Sequence, residues 1–188
     1  MNLSKNLTLS EAIRSETAKR NHIDNTPNEE QLQQLKITAE KIFQPIRDHF
    51  GRPIYVTSMF RCEKLNTWVK GAEFSAHKHI NNLGAIDIDM DGTEISNKEV
   101  FDFIRNNLDF DVLIWEYGTK ESPAWVHCSY HSGRKNRKYV LQMYRDENGI
   151  SRTIEYKDVK PREEKKETPK RDKGRSATSK VRSNKQST

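Results

Sequence analysis

Apolar residues recur at helical spacing over one long stretch, at Leu32, Leu35, Ala39, Ile42 and Ile46. That period predicts a long core helix. Thr26-Pro27-Asn28-Glu29 reads as its capping box, with Pro27 in the first turn, where a helix tolerates proline. Pro45 is expected to kink this helix or end its regular hydrogen bonding, and Gly51 to close it. Two further capping boxes stand at Thr8-Leu9-Ser10-Glu11 and Ser96-Asn97-Lys98-Glu99. The first predicts a helix to about Arg20. The second predicts one that buries Val100, Phe101, Ile104 and Leu108.

Elsewhere the period drops to two, the spacing of a strand with one buried face. Ile54 to Thr57, Leu83 to Met90, Val112 to Tyr117, Ala124 to Tyr130, Lys138 to Tyr144 and Arg152 to Tyr156 all read as strands. Asn148-Gly149 is the turn between the last two. In Leu83 to Met90, Ala85, Asp87 and Asp89 share one face, and Ile86, Ile88 and Met90 share the other. Helices come first and strands cluster later. The expected class is therefore α+β, one domain over residues 1–158 with N-terminal helices packed on a mostly antiparallel sheet.

Charge changes the picture at the C-terminal end. Of a net charge of +6, residues 160–188 carry +7, from 11 Lys and Arg against 4 Asp and Glu. The remainder, with 22 basic and 23 acidic residues, is close to neutral. From Lys160 onward the only apolar residues are Ala177 and Val181. Residues 159–188 are thus expected to form a disordered basic tail, able to contact anionic polymers. A near-neutral domain argues against a nucleic-acid-binding fold. No apolar run reaches the roughly 20 residues of a transmembrane helix, and the N-terminus lacks the apolar core of a secretory signal. Cys62 and Cys128 form no CxxC motif and read as reduced thiols.

The chemistry concentrates in Ser75 to Asp89, SAHKHINNLGAIDID, with Trp125-Val126-His127 downstream and Ser58-Met59-Phe60-Arg61 upstream. Zinc binds His nitrogen and Asp oxygen, and a catalytic site uses three protein ligands with one open position. His77, Asp87 and His127 fill that quota. His79 competes with His77, since either loop histidine has the right chemistry. An Asp between Ile86 and Ile88 is costly to bury without a partner, so a metal explains Asp87 better than a turn carboxylate would. Asp89 shares its face and reads as an outer partner. Arg61 supplies a guanidinium that fits a carboxylate or carbonyl oxygen. Glu116 ends an otherwise apolar run, Val112 to Trp115, and is either solvated there or a proton acceptor. His22 and His131 read as surface residues.

These motifs resemble the M15 family of zinc peptidases, of the D-Ala-D-Ala carboxypeptidase and phage endolysin type. The resemblance runs from about Leu7 to Leu141. Val56 to Arg61 is similar to the family's VTSGYR, and Leu65-Asn66 to its following LN. Ser75-Ala76-His77 is similar to SxH, Ala85 to Ile88 to AxDI, and Trp125-Val126-His127 to WVH. The family usually has seven residue steps from its first His to the Asp; here there are ten from His77 and eight from His79. Members commonly carry an acid three residues before the last His, where this chain has Ala124. The resemblance implies zinc on His77, Asp87 and His127, Arg61 on the substrate, and a base that Glu116 must supply in place of Ala124. It further implies a monomeric, phage- or prophage-type peptidase of peptidoglycan stem peptides, held in the producing cell and acting on the wall after release. The rival expectation is a wall-binding or virion protein on the same scaffold that has lost its base.

Overall fold

A computed structural model describes residues 1–157, and the predicted basic tail lies outside the described residues. The chain opens with two short strands, β1 (Asn2–Ser4) and β2 (Leu7–Thr8), paired antiparallel. Where the sequence predicts one helix to Arg20, two form: α1 (Leu9–Ala12) and α2 (Glu16–Arg20). Thr8 and Glu11 make the expected capping box. The break comes because Ser15 is itself a cap, its hydroxyl accepting from the Ala18 N–H.

The core helix begins two residues later than expected. Asn28 is the N-cap of α3 (Glu29–Thr38) and closes a reciprocal box with Gln31, so Pro27 falls outside the helix. A π turn (Ala39–Phe43) then leads into α4 (Gln44–Phe50). There the Gln44 N–H reaches back five residues to the Ala39 carbonyl. Pro45 has no N–H to offer and its ring would crowd the carbonyl four residues earlier, which accounts for the change of ladder at this point. Gly51, at φ +62°, ends the helix in the left-handed region.

Six strands form the main sheet: β3 (Val56–Ser58), β4 (Leu83–Ile88), β5 (Val112–Glu116), β6 (Trp125–His131), β7 (Tyr139–Arg145) and β8 (Ser151–Glu155). Their order is β3-β4-β6-β5-β7-β8. Every pairing is antiparallel except β5 with β7. Between β3 and β4 lie α5 (Glu63–Trp68) and a 3-10 turn (Ala76–Lys78). Between β4 and β5 lies α6 (Asn97–Asn107), capped by Ser96 and Glu99 as expected. The fold is α+β, with helices on a mostly antiparallel sheet.

The two faces of the sheet differ in chemistry. On one, Ile86, Ile88, Leu113, Trp115, Val126 and Cys128 meet Leu35, Ile42, Ile46, Phe101 and Ile104 from the helices, all buried. Each such large side chain stabilises the fold by about 1.5–3 kcal/mol. Cys128 therefore belongs to the core. The opposite face carries Asp87, His127 and Glu116. One carboxylate is used structurally. Asp111, just before β5, is fully buried and accepts hydrogen bonds from Arg134 and Arg137. This pair ties the loop after β6 to the start of β5.

Candidate metal centre

Strand alternation puts the key residues on one face, and register puts them side by side. Asp87 of β4 lies opposite His127 of β6, and His127 lies opposite Ile114 of β5. Glu116, two residues beyond Ile114, is on the same face and opposite Trp125. The sequence reading of the LGAIDID and WVH stretches thus corresponds to two adjacent strands.

The third residue arrives from a loop. The 3-10 turn is capped by Ser75, whose hydroxyl accepts from the His77 N–H. Two further contacts fix His77. Its Nδ1 donates to the Met59 carbonyl at 2.9 Å, and its own carbonyl accepts from the Arg61 N–H at 2.9 Å. The first contact assigns the Nδ1 proton and leaves Nε2 with a lone pair directed at the sheet.

The donor atoms converge. His127 Nδ1 lies 2.8 Å from Asp87 Oδ1, and His77 Nε2 lies 3.2 Å from both Asp87 Oδ1 and His127 Nδ1. Ligands about 2.0–2.1 Å from a tetrahedral zinc stand about 3.3 Å apart. The three atoms are therefore within about half an ångström of a tetrahedral face, and the set fits a divalent metal. His77, Asp87 and His127 also form the group suited to a metal ion among the described residues.

His79 is excluded from this cluster by geometry. It is fully buried in the left-handed region at φ +52°, and its Nδ1 donates to the His77 carbonyl. Its Nε2 has no partner. Burial lowers its pKa to about 3, so it is neutral. The three-residue excess between His77 and Asp87 is absorbed in the loop before β4.

Arg61 lies beside the cluster. Its guanidinium donates to Asp87 Oδ2 at 3.3 Å and its Nε to the Ser58 hydroxyl at 3.1 Å. It also lines the cleft, so it orients the ligand carboxylate as well as facing any substrate. Burial pushes the Asp87 carboxyl upward. The adjoining His77 and His127 rings outweigh that, and hold it far below the usual carboxylate range. Burial likewise opposes a charge on His127, but the bond to Asp87 and the nearby Asp87 and Glu116 charges raise its pKa overall.

Glu116 is an acid beside the cluster in addition to Asp87. Its Oε1 lies 4.0 Å from His127 Nδ1, and its side chain is 14% exposed. Burial dominates its titration, and its pKa is pushed up to about 7, against the lowering effect of the His127 charge. A carboxylate titrating there can both take and return a proton near neutral pH. Glu116, Asp87, His77, His127, Arg61 and Trp125 line one open cleft of about 600 Å³. Ala124 does not line it. Asp89 lines it too, but its carboxylate accepts from Asn97 and from the Asp91 N–H, so its bonds go to the loop after β4.

Sequence reasoning missed the residues that hold this arrangement from behind. Buried Asn97 donates to Asp89 and to the Ala124 carbonyl, and accepts from the Met90 N–H, which ties β4 to the start of β6. Buried Asn25 donates to the Ile13 and Phe60 carbonyls and accepts from the Cys62 N–H, clamping the segment that carries Arg61. Neither has a sequence signal, because an Asn in a loop or a first helical turn ordinarily reads as a cap.

No curated protein matches this chain. A family model, Peptidase M15, matches residues 5–129. That span covers about two thirds of the chain and contains all three converging donors together with Arg61 and Glu116. The chain belongs to the Peptidase M15 family.

Proposed function

We propose that this protein is a zinc-dependent peptidase of peptidoglycan stem peptides, of the endolysin type encoded by phages or prophages. It acts at the wall after release from the producing cell. The observation that carries the catalytic reading is the position of Glu116, 4.0 Å from His127 in the cleft where the three donor atoms meet. What supports an active enzyme over a binding scaffold is that a buried, proton-accepting carboxylate stands beside the centre although Ala124 is not an acid.

His77 Nε2, Asp87 Oδ1 and His127 Nδ1 would hold the metal. When bound, zinc supplies a Lewis acid and makes water a usable nucleophile near neutral pH. Glu116 accepts the proton of the attacking water at its carboxylate and returns it to the departing amine. Arg61 keeps Asp87 in its ligand orientation through Oδ2 and presents its remaining N–H groups to a carbonyl or carboxylate of the substrate. Met59 holds His77 in the tautomer that leaves Nε2 unprotonated. Trp125, opposite Glu116 on the neighbouring strand, lies on the same cleft face and helps shield its carboxylate from water.

The test is the zinc-loaded protein acting on purified peptidoglycan, read as release of new amino groups. Glu116→Gln is expected to slow release by about 10²–10⁴-fold, the range for a positioned general base, with zinc content unchanged. A variant within a few-fold of the native rate refutes the role given to Glu116. Absence of cleavage by the zinc-loaded native protein refutes the peptidase reading of this substrate.

A further inference from the structure

The cleft is open at both ends. On the β3 side it runs through Thr57, Arg61 and Val69 into a depression that reaches Arg14. On the β7 side it runs through Tyr117, Trp125 and Arg145 into another that reaches Lys120 and Tyr144. The Arg61 guanidinium is held at Asp87 of β4 and that of Arg145 over Tyr117, just past β5, two inter-strand steps apart in the sheet order. At about 4.8 Å per step this is about 10 Å, the length of roughly three residues of extended chain.

The β7 side is built for recognition. The Arg145 guanidinium lies over the Tyr117 ring, 5.2 Å from its centroid, and the Tyr117 and Trp125 rings are 5.2 Å apart. Arg145 donates to the Gly149 carbonyl, and no carboxylate pairs with it among the described residues. Tyr117 is held at φ +53°, a conformation costly for an aromatic residue, by its N–H bond to the Met143 carbonyl and its hydroxyl contact with Ser151. The strained backbone turns this ring toward Trp125 and beneath Arg145. Arg145 lies beyond residue 129, where the family match ends, whereas Tyr117 and Trp125 lie within it.

We propose that Tyr117, Trp125 and Arg145 form a second recognition subsite, across the centre from Arg61, for a carboxylate-bearing segment of the substrate. The proposal rests on the peptidase reading above. The rings supply a flat apolar floor, and Arg145 supplies a guanidinium free to make charge-assisted bonds with an acid.

The test uses the zinc-loaded full chain and soluble peptidoglycan fragments, untreated or with carboxylates converted to carboxamides. Arg145→Ala is expected to raise KM about tenfold on untreated fragments, the size of one charge-assisted contact at a partly exposed site. Its kcat should hold, because the lost contact lies away from the reacting bond. Amidation should raise the native KM similarly and add nothing in the variant, and Arg145→Lys should recover part of the loss. An unchanged KM for Arg145→Ala overturns the proposal. Sedimentation of Glu116→Gln protein with peptidoglycan separates the two readings without turnover. If nothing is cleaved, Arg145-dependent sedimentation upholds the subsite while the peptidase reading falls, and Arg145-independent sedimentation overturns the subsite as well.

Discussion

Metal binding should appear first as stability. The three donors come from separate segments, the turn carrying His77, strand β4 and strand β6, and the unfolded chain does not bring them together. A ligand that binds only the folded state stabilises it by about 2.7 kcal/mol at one hundred times its Kd. For a domain of this size each kcal/mol moves Tm by roughly 2–4 °C, so zinc should raise Tm by about 5–10 °C over the chelator-treated protein. Differential scanning fluorimetry with and without zinc, alongside elemental analysis, reads both quantities. His77→Ala should abolish the increment and the bound zinc. His79→Ala should behave differently. It opens a cavity under β4 and lowers Tm in both conditions, yet keeps the zinc-induced rise, because its Nε2 faces away from the cluster. The increment should also shrink below neutral pH. The pKa of His127 is raised above its ordinary value, so protons compete for its ring as pH falls. An equal rise in native and His77→Ala protein would falsify the ligand assignment. Loss of zinc in His79→Ala with retention in His77→Ala would move the ligand to the other loop histidine.

Two further predictions concern the scaffold. Asp111 is fully buried against Arg134 and Arg137; burial raises its carboxyl pKa, but their hydrogen bonds outweigh that and hold it well below its ordinary value. Its folded pKa is below its unfolded one, so its stabilisation is complete above about pH 4 and is lost as pH falls further. Asp111→Asn should therefore cost about 2–3 kcal/mol at pH 7, less than for most buried pairs because both arginines remain able to reach water. That gap should narrow in urea melts below pH 4, and a constant gap down to pH 2 would contradict the assignment. Gly84→Ala should destabilise by about 1–3 kcal/mol, since its Cβ would press on the Thr38 hydroxyl and come within 2.6 Å of His79 Cδ2; unchanged thermal stability would show that this contact relaxes freely.

The amphipathic elements were legible in the sequence because their signal is local. The period of Val100, Phe101 and Ile104 defines α6, and the alternation through Asp87 defines β4 and its polar face. The donors His77, Asp87 and His127 were legible through motif order. The choice between His77 and His79 was not. The two are separated by one residue, and what turns His77 into the cluster is the Met59 carbonyl, 18 residues earlier in the chain. The parallel pairing of β7 with β5 was equally hidden, because β6 intervenes in sequence between them and lies on the other side of β5. Helix starts failed where two capping residues competed. Asn28 prevailed over Thr26 because Gln31 stands at the position that completes its box. Asn25 and Asn97 act through bonds to carbonyls distant in sequence, and no local pattern marks such bonds.

The sequence posed Ala124 as a missing acid, and the register of the sheet recasts that question. Residue 124 precedes Trp125, and Trp125 and His127 share the cleft face, so alternation directs side chain 124 away from it. The backbone of Ala124 is fixed as well: its N–H donates to the Glu116 carbonyl and its carbonyl accepts from Asn97. Glu116 stands directly across from Trp125 on the neighbouring strand, with its side chain on the cleft face. An acid reaching the centre from β5 needs no irregularity at the start of β6, whereas one at residue 124 would have to bulge that strand to turn inward. Antiparallel neighbours bring side chains about 4.5–5.5 Å apart, so an acid on either strand can serve the same point in space. The burial that raises Glu116 to about 7 follows from that placement, between Trp125 and the histidines on an otherwise apolar strand.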